Sequence, residues 1–330
     1  TGTDSSEPPA MGYVRTRMHV YQRHGTALRW SLAGLAGAGL LAVTLAGDPG
    51  SSASGPPAQE LPPTQDPPSS AADDAALVAA FGAAGIRMDR DAGAVAFSAR
   101  VEILNELLEY LLVSPNGAMH ESLFATDVDP EVLATAVLAV GALPGNNVEF
   151  VPKDPPPPRE EVRAGVRTHD VVLPTGEPIY VYATWREAAG PADADTGALQ
   201  GETLFFHRIE DLVLDLARGR TMRRHGWVWL GSRMVPGRNK GEGEVFAATA
   251  TGNLVCISFF SQGDTLMTTA LPECTSQTAW RPNVWLVPDR GSAVLLIVST
   301  RELDGVPPSL REAIPFVEDP EDTEEDQPGR

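Results

Sequence analysis

The chain has 330 residues and a formal net charge of −19, with 44 acidic residues against 25 lysines and arginines. That length suits one large domain or two small ones, and so negative a charge argues against a nucleic-acid-binding surface. Seven of the acids lie between Glu318 and Arg330 against one arginine, which gives this end a charge of about −6 and predicts a solvated, disordered tail.

The first fifty residues predict a membrane-directed segment. Several arginines, with no acid among them, precede the uncharged run 30–47, WSLAGLAGAGLLAVTLAG. A basic flank before an apolar run predicts an export signal or a single membrane anchor, and Thr44–Ala46 and Ser51–Ala53 offer small residues for cleavage. We expect translation to begin at Met11 or Met18, or the sequence to be a fragment. The cleaved and the retained form both place the rest of the chain outside the cytoplasm, in the periplasm or at the cell surface.

The remaining composition predicts a tether and one main domain. The segment after the apolar run is rich in proline, serine and glycine, which is typical of a flexible linker, and Ala71–Gly85 is predicted to form a short helix. The predicted organisation is a basic, disordered segment at 1–29, a signal or transmembrane helix at 30–47, the linker at 48–75, the domain at 76–316 and the acidic tail at 317–330.

The stretch 116–145 has the clearest local pattern. Asn116-Gly117 is a turn dipeptide between two apolar runs and predicts a hairpin. Asp129-Pro130 predicts a capped helix start, because aspartate accepts from the first free amides and proline suits the first helical position. Apolar residues then recur at helical spacing up to Val140, and Gly141 predicts the helix end.

From Ile86 onward the chain is predicted to consist mostly of strands. Apolar alternation or short apolar runs mark Ala94–Ile103, Asn147–Val151, Thr168–Leu173, Pro178–Trp185, Thr203–Leu216, Gly226–Met234, Glu244–Thr249, Asn253–Phe260, Asn283–Val287 and Ala293–Ser299. Thr168–Leu173 and Pro178–Trp185 are predicted to pair through Pro174-Thr175-Gly176. The pattern predicts an α+β domain with a mainly antiparallel sheet or sandwich core and one or two packed helices.

Four segments together resemble the YdjY-like family of extracytoplasmic bacterial proteins. They are NGAMHESLF from Asn116, DVDPEVLATAVLAVGALPG from Asp127, GWVWLGSRM from Gly226 and NLVCISFF from Asn253. The resemblance covers roughly residues 86–299 and implies little about activity, since the family's members look like proteins of unassigned function. Carried over by position, it singles out His120, Glu121, Ser122, Gly141, Trp227 and Cys256, whereas Cys274 does not fit the pattern.

The triplet His120-Glu121-Ser122 is the best candidate for a catalytic site. If it lies on a strand, His120 and Ser122 share a face but stand about 6.6 Å apart along it, too far for a direct hydrogen bond. No GxSxG or HExxH motif is present, so serine-hydrolase and zincin mechanisms lack their usual signatures. The favoured interpretation is that these side chains satisfy backbone groups where strand meets helix.

The sequence contains no standard metal-binding or cofactor-binding motif. His120 and Glu121 could bind a metal ion with one distant histidine, but the other body histidines match no standard ligand spacing; they are His169 beside Asp170, His207 near Asp211, and His225. The glycine-rich stretch from Gly231 to Gly243 lacks the order of a phosphate loop and predicts a hairpin connection. We therefore predict no cofactor and no nucleotide.

The two cysteines leave two alternatives open. Outside the cytoplasm Cys256 and Cys274 could form a disulfide, which by the chain-entropy estimate would contribute about 3 kcal/mol, or each could be a buried thiol. Trp227, Trp229, Trp280 and Trp285 are predicted to pack in the core or on the sheet surface.

The sequence favours a membrane-tethered or exported, non-catalytic binding or assembly module of the cell envelope. Its expected partners are the membrane, if the apolar run is retained, and an envelope protein. The alternative is a metal-binding or redox-accessory protein, or an enzyme, that uses His120, Glu121 and Ser122.

Overall fold

A computed structural model of the chain describes residues 71–189, 201–237, 241 and 243–318. The predicted apolar run at 30–47, most of the linker and the acidic residues beyond Glu318 lie outside the described residues. Within them, no helix is both long and apolar enough to span a bilayer. The described residues all belong to one compact unit, which spans residues 69–330.

The described residues form four α-helices and seventeen strands. The helices are α1 Ala71–Ala83, α2 Pro130–Ala139, α3 Arg159–Arg163 and α4 Ala247–Thr251. The strands are β1 Ile86–Asp89, β2 Ala94–Val101, β3 Tyr110–Val113, β4 Ser122–Ala125, β5 Glu149–Pro152, β6 His169–Val172, β7 Pro178–Ala188, β8 Glu202–Arg208, β9 Val213–Asp215, β10 Arg220–Thr221, β11 Trp227–Trp229, β12 Met234–Pro236, β13 Glu244–Phe246, β14 Asn253–Cys256, β15 Met267–Thr268, β16 Trp280–Pro282 and β17 Ala293–Ser299. Short 3₁₀ helices span Met119–Glu121, Ile209–Leu212, Pro272–Thr275 and Pro308–Ala313.

Eight of the strands close into a barrel. Their order is β2-β17-β7-β11-β15-β14-β3-β4, and β4 pairs back onto β2 through Arg100↔Ala125 and Val101↔Phe124. The predicted α+β class with a mostly β, mainly antiparallel core is confirmed, but the sheet closes into a barrel and the predicted sandwich was wrong. The barrel closes because β4 pairs with β3 on one side and with β2 on the other. The alternation of apolar and polar residues within a strand does not say which strands pair, so it does not predict closure.

Two further strands, β1 and β8, pair with barrel strands at positions where the barrel neighbour on that edge pairs with only part of the strand. β17 takes one edge of β2 along most of its length, so β1 and β4 share the other edge. At β7, the edge opposite β17 is shared by β11 near Pro178 and by β8 from Tyr182 onward. β8 has no other strand partner among the described residues, so it is an edge strand.

The strands β2 and β17 are buried on both faces. Their inner side chains, such as Phe97 and Leu296, join the large core cluster inside the barrel. Their outer side chains, such as Ala96 and Ile297, are covered by Leu310 on the 3₁₀ helix Pro308–Ala313. This outer cover explains why β2 is almost wholly buried instead of alternating between core and solvent.

Helix α2 is confirmed in detail. The Asp129 side chain accepts from the amides of Glu131 (2.9 Å) and Val132 (3.1 Å), and Pro130 is the first helical residue. Leu133, Ala136 and Val137 are buried on the face that the spacing predicted. The Gly141 φ of +98° supplies the left-handed exit.

Three local predictions were wrong. Asn116-Gly117 does not join a hairpin, because β3 and β4 are parallel neighbours, and Gly117 instead packs against Gly252. β6 pairs with β5 and not with β7. The predicted strand Asn283–Val287 is a turn after β16, and it holds Trp285 with its side chain 73% exposed, while Trp227, Trp229 and Trp280 are buried.

Candidate functional site

The triplet predicted from the sequence does not lie on one strand. His120 and Glu121 belong to the 3₁₀ helix Met119–Glu121, and β4 begins only at Ser122. The expected strand alternation between His120 and Ser122 is therefore wrong. The turn of 3₁₀ helix is the short connection that lets the parallel strands β3 and β4 lie side by side.

Ser122 is buried and its hydroxyl is engaged by its own strand. The Ser122 Oγ donates to the carbonyl oxygen of Phe124 at 2.8 Å. A serine nucleophile needs an exposed hydroxyl beside a base, and this geometry provides neither.

His120 and Glu121 lie at the surface. The His120 side chain is 79% exposed, and its Nε2 lies 3.5 Å from Oε1 of Glu121, whose side chain is 37% exposed. An exposed contact of this kind is held weakly, so the imidazole is not fixed in one orientation.

Glu109 completes a small acidic cluster that the sequence did not predict. The Glu109 amide donates to the carbonyl oxygen of Glu121 at 3.0 Å, which brings the two side chains together at the start of β3. Burial raises the pKa of Glu109, the Glu121 carboxylate and a hydrogen bond to it raise it further, and His120 lowers it. A carboxyl group whose pKa is raised beside a second carboxylate is a candidate general acid or base. No local signal marks Glu109, since its partner comes from a different element.

A cavity of about 70 Å³ lies near this cluster. Tyr110 forms part of its wall, and its ring stacks on Phe260 with centroids 5.2 Å apart. Burial raises the pKa of Tyr110, and Cys256 and Glu109 add to the rise. The cavity has room for about two water molecules at roughly 30 Å³ each, which is too little for an organic substrate.

The described residues contain no group of three or more histidine, cysteine, aspartate or glutamate side chains that could hold a metal ion. His120 and Glu121 therefore have no third ligand in this part of the chain. The remaining candidates are dispersed: Asp170 lies 3.6 Å from Lys153, Asp211 accepts from Arg224, His207 packs on Trp185, and His225 packs on Trp227.

The two cysteines are free thiols, and both are buried. In this structure the two sulfur atoms do not form a disulfide, and whether the cysteines pair stays a prediction. Burial raises the pKa of Cys256, and it raises the pKa of Cys274 to about 12. Neither thiol has the lowered pKa or the exposure of a reactive cysteine.

A buried polar network fills the gap where β8 and β11 leave β7. Glu210 is fully buried and accepts two hydrogen bonds from the Arg208 guanidinium, at 2.9 and 3.1 Å, and one from Trp227 Nε1 at 3.0 Å. Arg208 also donates to the His225 carbonyl oxygen at 2.6 Å and to Glu302 at 2.8 Å. Removing one member would leave a buried charge unpaired, so the network fixes the course of the two strands.

The family model of the YdjY domain matches residues 86–299, from the first residue of β1 to the last residue of β17. The chain belongs to the YdjY domain family. This confirms the resemblance seen in the sequence, and the match includes the barrel and all of the candidate residues. No curated protein and no solved structure matches the chain.

Within the matched region, the YdjY domain carries an insert that takes no part in the barrel. The insert, defined as residues 149–172, consists of β5, α3 and β6, and its two strands pair only with each other among the described residues. Its exposed apolar side chains are Phe150, Val151, Val162, Val166 and Val172. A groove of about 230 Å³ lies between this insert and Thr275 of the 3₁₀ helix Pro272–Thr275.

Proposed function

We propose that this YdjY domain is a non-catalytic binding or assembly module of the cell envelope that contacts a partner protein through its insert. The observation that carries the proposal is the exposed apolar surface of the insert, whose strands do not pair with those of the barrel. Phe150 lies on one face of the β5–β6 pair, and Val151 and Val172 lie on the other, so the insert exposes apolar side chains on both faces that a partner protein would cover.

The geometry of the predicted triplet supports the same proposal. The Ser122 hydroxyl is bonded to its own strand, and the His120 ring is held only by an exposed contact to Glu121. Catalytic groups need to be both accessible and held in position; Ser122 is buried and His120 is not held by packing, so neither meets both needs.

The test is affinity purification of the exported chain from its own envelope. The double variant Val162→Ser/Val166→Ser should lose the partners that the unchanged chain retains, because it removes apolar surface from α3 and the residues after it. His120→Ala should keep those partners, and so should Leu138→Ser, which changes an exposed leucine on α2. Retention of every partner by the double variant, with unchanged circular dichroism, would contradict the proposal.

The envelope location rests on the residues before the domain. The basic flank and the apolar run 30–47 support export or tethering. Fractionation of cells that produce the full chain distinguishes the forms: a retained anchor leaves the domain in the membrane pellet, and a cleaved signal releases it. Recovery of the domain in the cytoplasmic fraction would contradict both.

A second candidate function is favoured by the Glu109–Glu121 pair. Two carboxyl groups lie beside His120, and burial and the charge of Glu121 raise the pKa of Glu109; an acid–base enzyme or a metal-binding accessory protein could use this arrangement. Elemental analysis of chain purified without chelator tests the metal form, with His120→Ala and Glu121→Gln as variants. Stoichiometric metal that disappears in both variants would favour this function over the binding module.

A further inference from the structure

The groove between the insert and the 3₁₀ helix Pro272–Thr275 has an apolar end and a cationic end. Phe150 and Val171 are cross-strand partners on β5 and β6 and form the apolar wall. His169 lies on the same face of β6 as Val171, two residues away, and Arg167 lies just before the strand. A ligand bound along this face would therefore contact apolar side chains at one end and the positive charge of Arg167 at the other.

Arg167 is held at the cationic end by a hydroxyl group. Its Nη2 donates to Thr275 Oγ1 at 2.9 Å, and Thr275 Oγ1 in turn donates to the Pro272 carbonyl oxygen at 2.9 Å. Among the described residues, Arg167 makes no ion pair with a carboxylate. Its remaining guanidinium donors are therefore available for a planar anion, which two parallel N–H groups bind well.

Two of the acids close in sequence to the groove are already paired with other cations, and Glu149, next to Phe150, lies on the opposite face of β5. Glu273, on the same 3₁₀ helix as Thr275, lies 3.3 Å from Arg223 and 3.8 Å from Arg220. Asp170, beside His169, lies 3.6 Å from Lys153. Positive charge at the groove is thus not compensated by these carboxylates, and the groove is complementary to an anionic group with an apolar body.

The size of the groove limits the bound group to about one residue. A volume of about 230 Å³ is below the roughly 300–1,000 Å³ of sites that enclose a drug-sized molecule. One carboxylate and one apolar side chain fit that limit, and the last residue of a polypeptide carries both. Capture of a C-terminal carboxylate is a recurring form of peptide recognition.

We propose that this groove binds the C-terminal residue of the partner protein, with the terminal carboxylate on Arg167 and an apolar side chain against Phe150 and Val171. The inference rests on the proposed function, because it names the part of the partner that the insert would recognise. Thr168 completes the polar end, with its Oγ1 2.9 Å from Nδ1 of His169.

Isothermal titration of the full chain tests the groove with three probes. N-acetyl-Ala-Ala-Ala-Phe with a free carboxylate should bind saturably, and the same peptide with an amidated end should bind at least about tenfold more weakly, since hydrogen bonds to charged groups contribute more than neutral ones. Phenylacetate, which has the acid and the ring without the peptide, should also bind more weakly than the free peptide.

Two variants assign the preference to Arg167. Arg167→Gln should weaken binding of the free peptide at least about tenfold and abolish the preference over the amidated one, because the glutamine is uncharged. Arg290→Gln removes the same charge outside the insert and should change neither value. Circular dichroism of Arg167→Gln checks that the fold is intact.

Several results would overturn the inference. Equal binding of the free and amidated peptides, an unchanged preference in Arg167→Gln, or no saturable binding of either peptide would each do so. Phenylacetate binding as tightly as the free peptide would overturn the assignment to a polypeptide end. If the inference fails while Val162→Ser/Val166→Ser still loses its envelope partners, the binding module stands and only the groove assignment falls.

Discussion

His225 should make the domain less stable in mild acid. Its side chain is 8% exposed, and Nδ1 lies 3.2 Å from the Arg223 carbonyl oxygen, so in the neutral ring Nδ1 carries the proton and donates it. Nε2 is buried and has no hydrogen-bond partner among the described residues. Protonation of Nε2 would therefore place a positive charge in an apolar setting close to Arg208.

The pKa of His225 reflects that cost. Burial lowers it to about 4; the bond to the Arg223 carbonyl oxygen opposes the shift, and the charge of Arg208 adds to it. Glu210 lies 3.5 Å from Nδ1, but its oxygens already accept from Arg208 and Trp227, so it does little to offset the burial.

The unfolding free energy should fall as the pH falls, because the unfolded chain takes up the His225 proton more readily than the folded chain. An unfolded histidine binds a proton below its usual pKa of about 6.5, whereas His225 in the folded chain stays neutral down to about 4. Its contribution is fully present above about pH 6.5 and is lost as the pH falls towards 4. A difference of about 2.5 pKa units corresponds to about 3 kcal/mol of unfolding free energy, of which about 2 kcal/mol is lost by pH 5.

Urea unfolding followed by tryptophan fluorescence between pH 7.5 and 4.5 measures this loss. His225→Asn keeps a donor for the Arg223 carbonyl oxygen and does not titrate. Between pH 7.5 and 4.5 its unfolding free energy should therefore fall by about 2–3 kcal/mol less than that of the unchanged chain. Loss of packing on Trp227 lowers the stability of the variant at every pH, so only the change of the difference with pH is diagnostic. His169→Asn, at an exposed histidine, is the control and should follow the unchanged chain. A difference between the unchanged chain and His225→Asn that stays constant across the range would refute the reasoning.

Two further predictions follow from packing. Gly117→Ala should lower the unfolding free energy by about 2 kcal/mol or more, because a Cβ there would overlap the Gly252 carbonyl group, and that backbone group cannot move aside without disturbing the fold. The control is Gly82→Ala in α1, where an added Cβ meets nothing within 4 Å; it should be neutral or stabilise by up to about 1 kcal/mol. Equal effects of the two variants in urea unfolding would contradict the argument. Cys256 and Cys274 should resist a thiol reagent in the folded chain at pH 8 and react without reductant once the chain is unfolded; failure to react in denaturant would mean that they are paired.

Local features of the fold could be predicted from the sequence. The cap of α2 was found because Asp129, Pro130 and the apolar spacing act within a few residues of one another. β17 was found because its apolar run is unbroken, and its burial on both faces fits such a run.

Pairing between distant strands could not be predicted in the same way. Asn116-Gly117 has the composition of a hairpin turn, but its close contact with Gly252 comes from a segment far along the chain. The closure of β4 onto β2 likewise depends on geometry that no local pattern carries. The core was predicted as a mainly antiparallel sheet or sandwich, and not as a closed barrel, for this reason.

The candidate site was predicted only in part. His120 and Glu121 were named from the sequence, and the 3₁₀ turn does place them at the surface. Glu109 could not be found, because only the pairing of β3 with β4 brings its carboxyl group to Glu121. Ser122 was named as a candidate beside them, but its burial follows from the barrel wall on which it lies.

The position of β17 has a consequence for the order in which the fold can form. This strand lies between β2 and β7, yet it is the last of the described strands along the chain. During synthesis, the edges of β2 and β7 that pair with β17 therefore remain unpaired until residues 293–299 have been made. Unpaired strand edges can pair with other chains and lead to aggregation. Pairing across so long a separation also slows folding. Under the proposed export, a chain that crosses the membrane before β17 is available stays unfolded during transit and closes its barrel only on the far side.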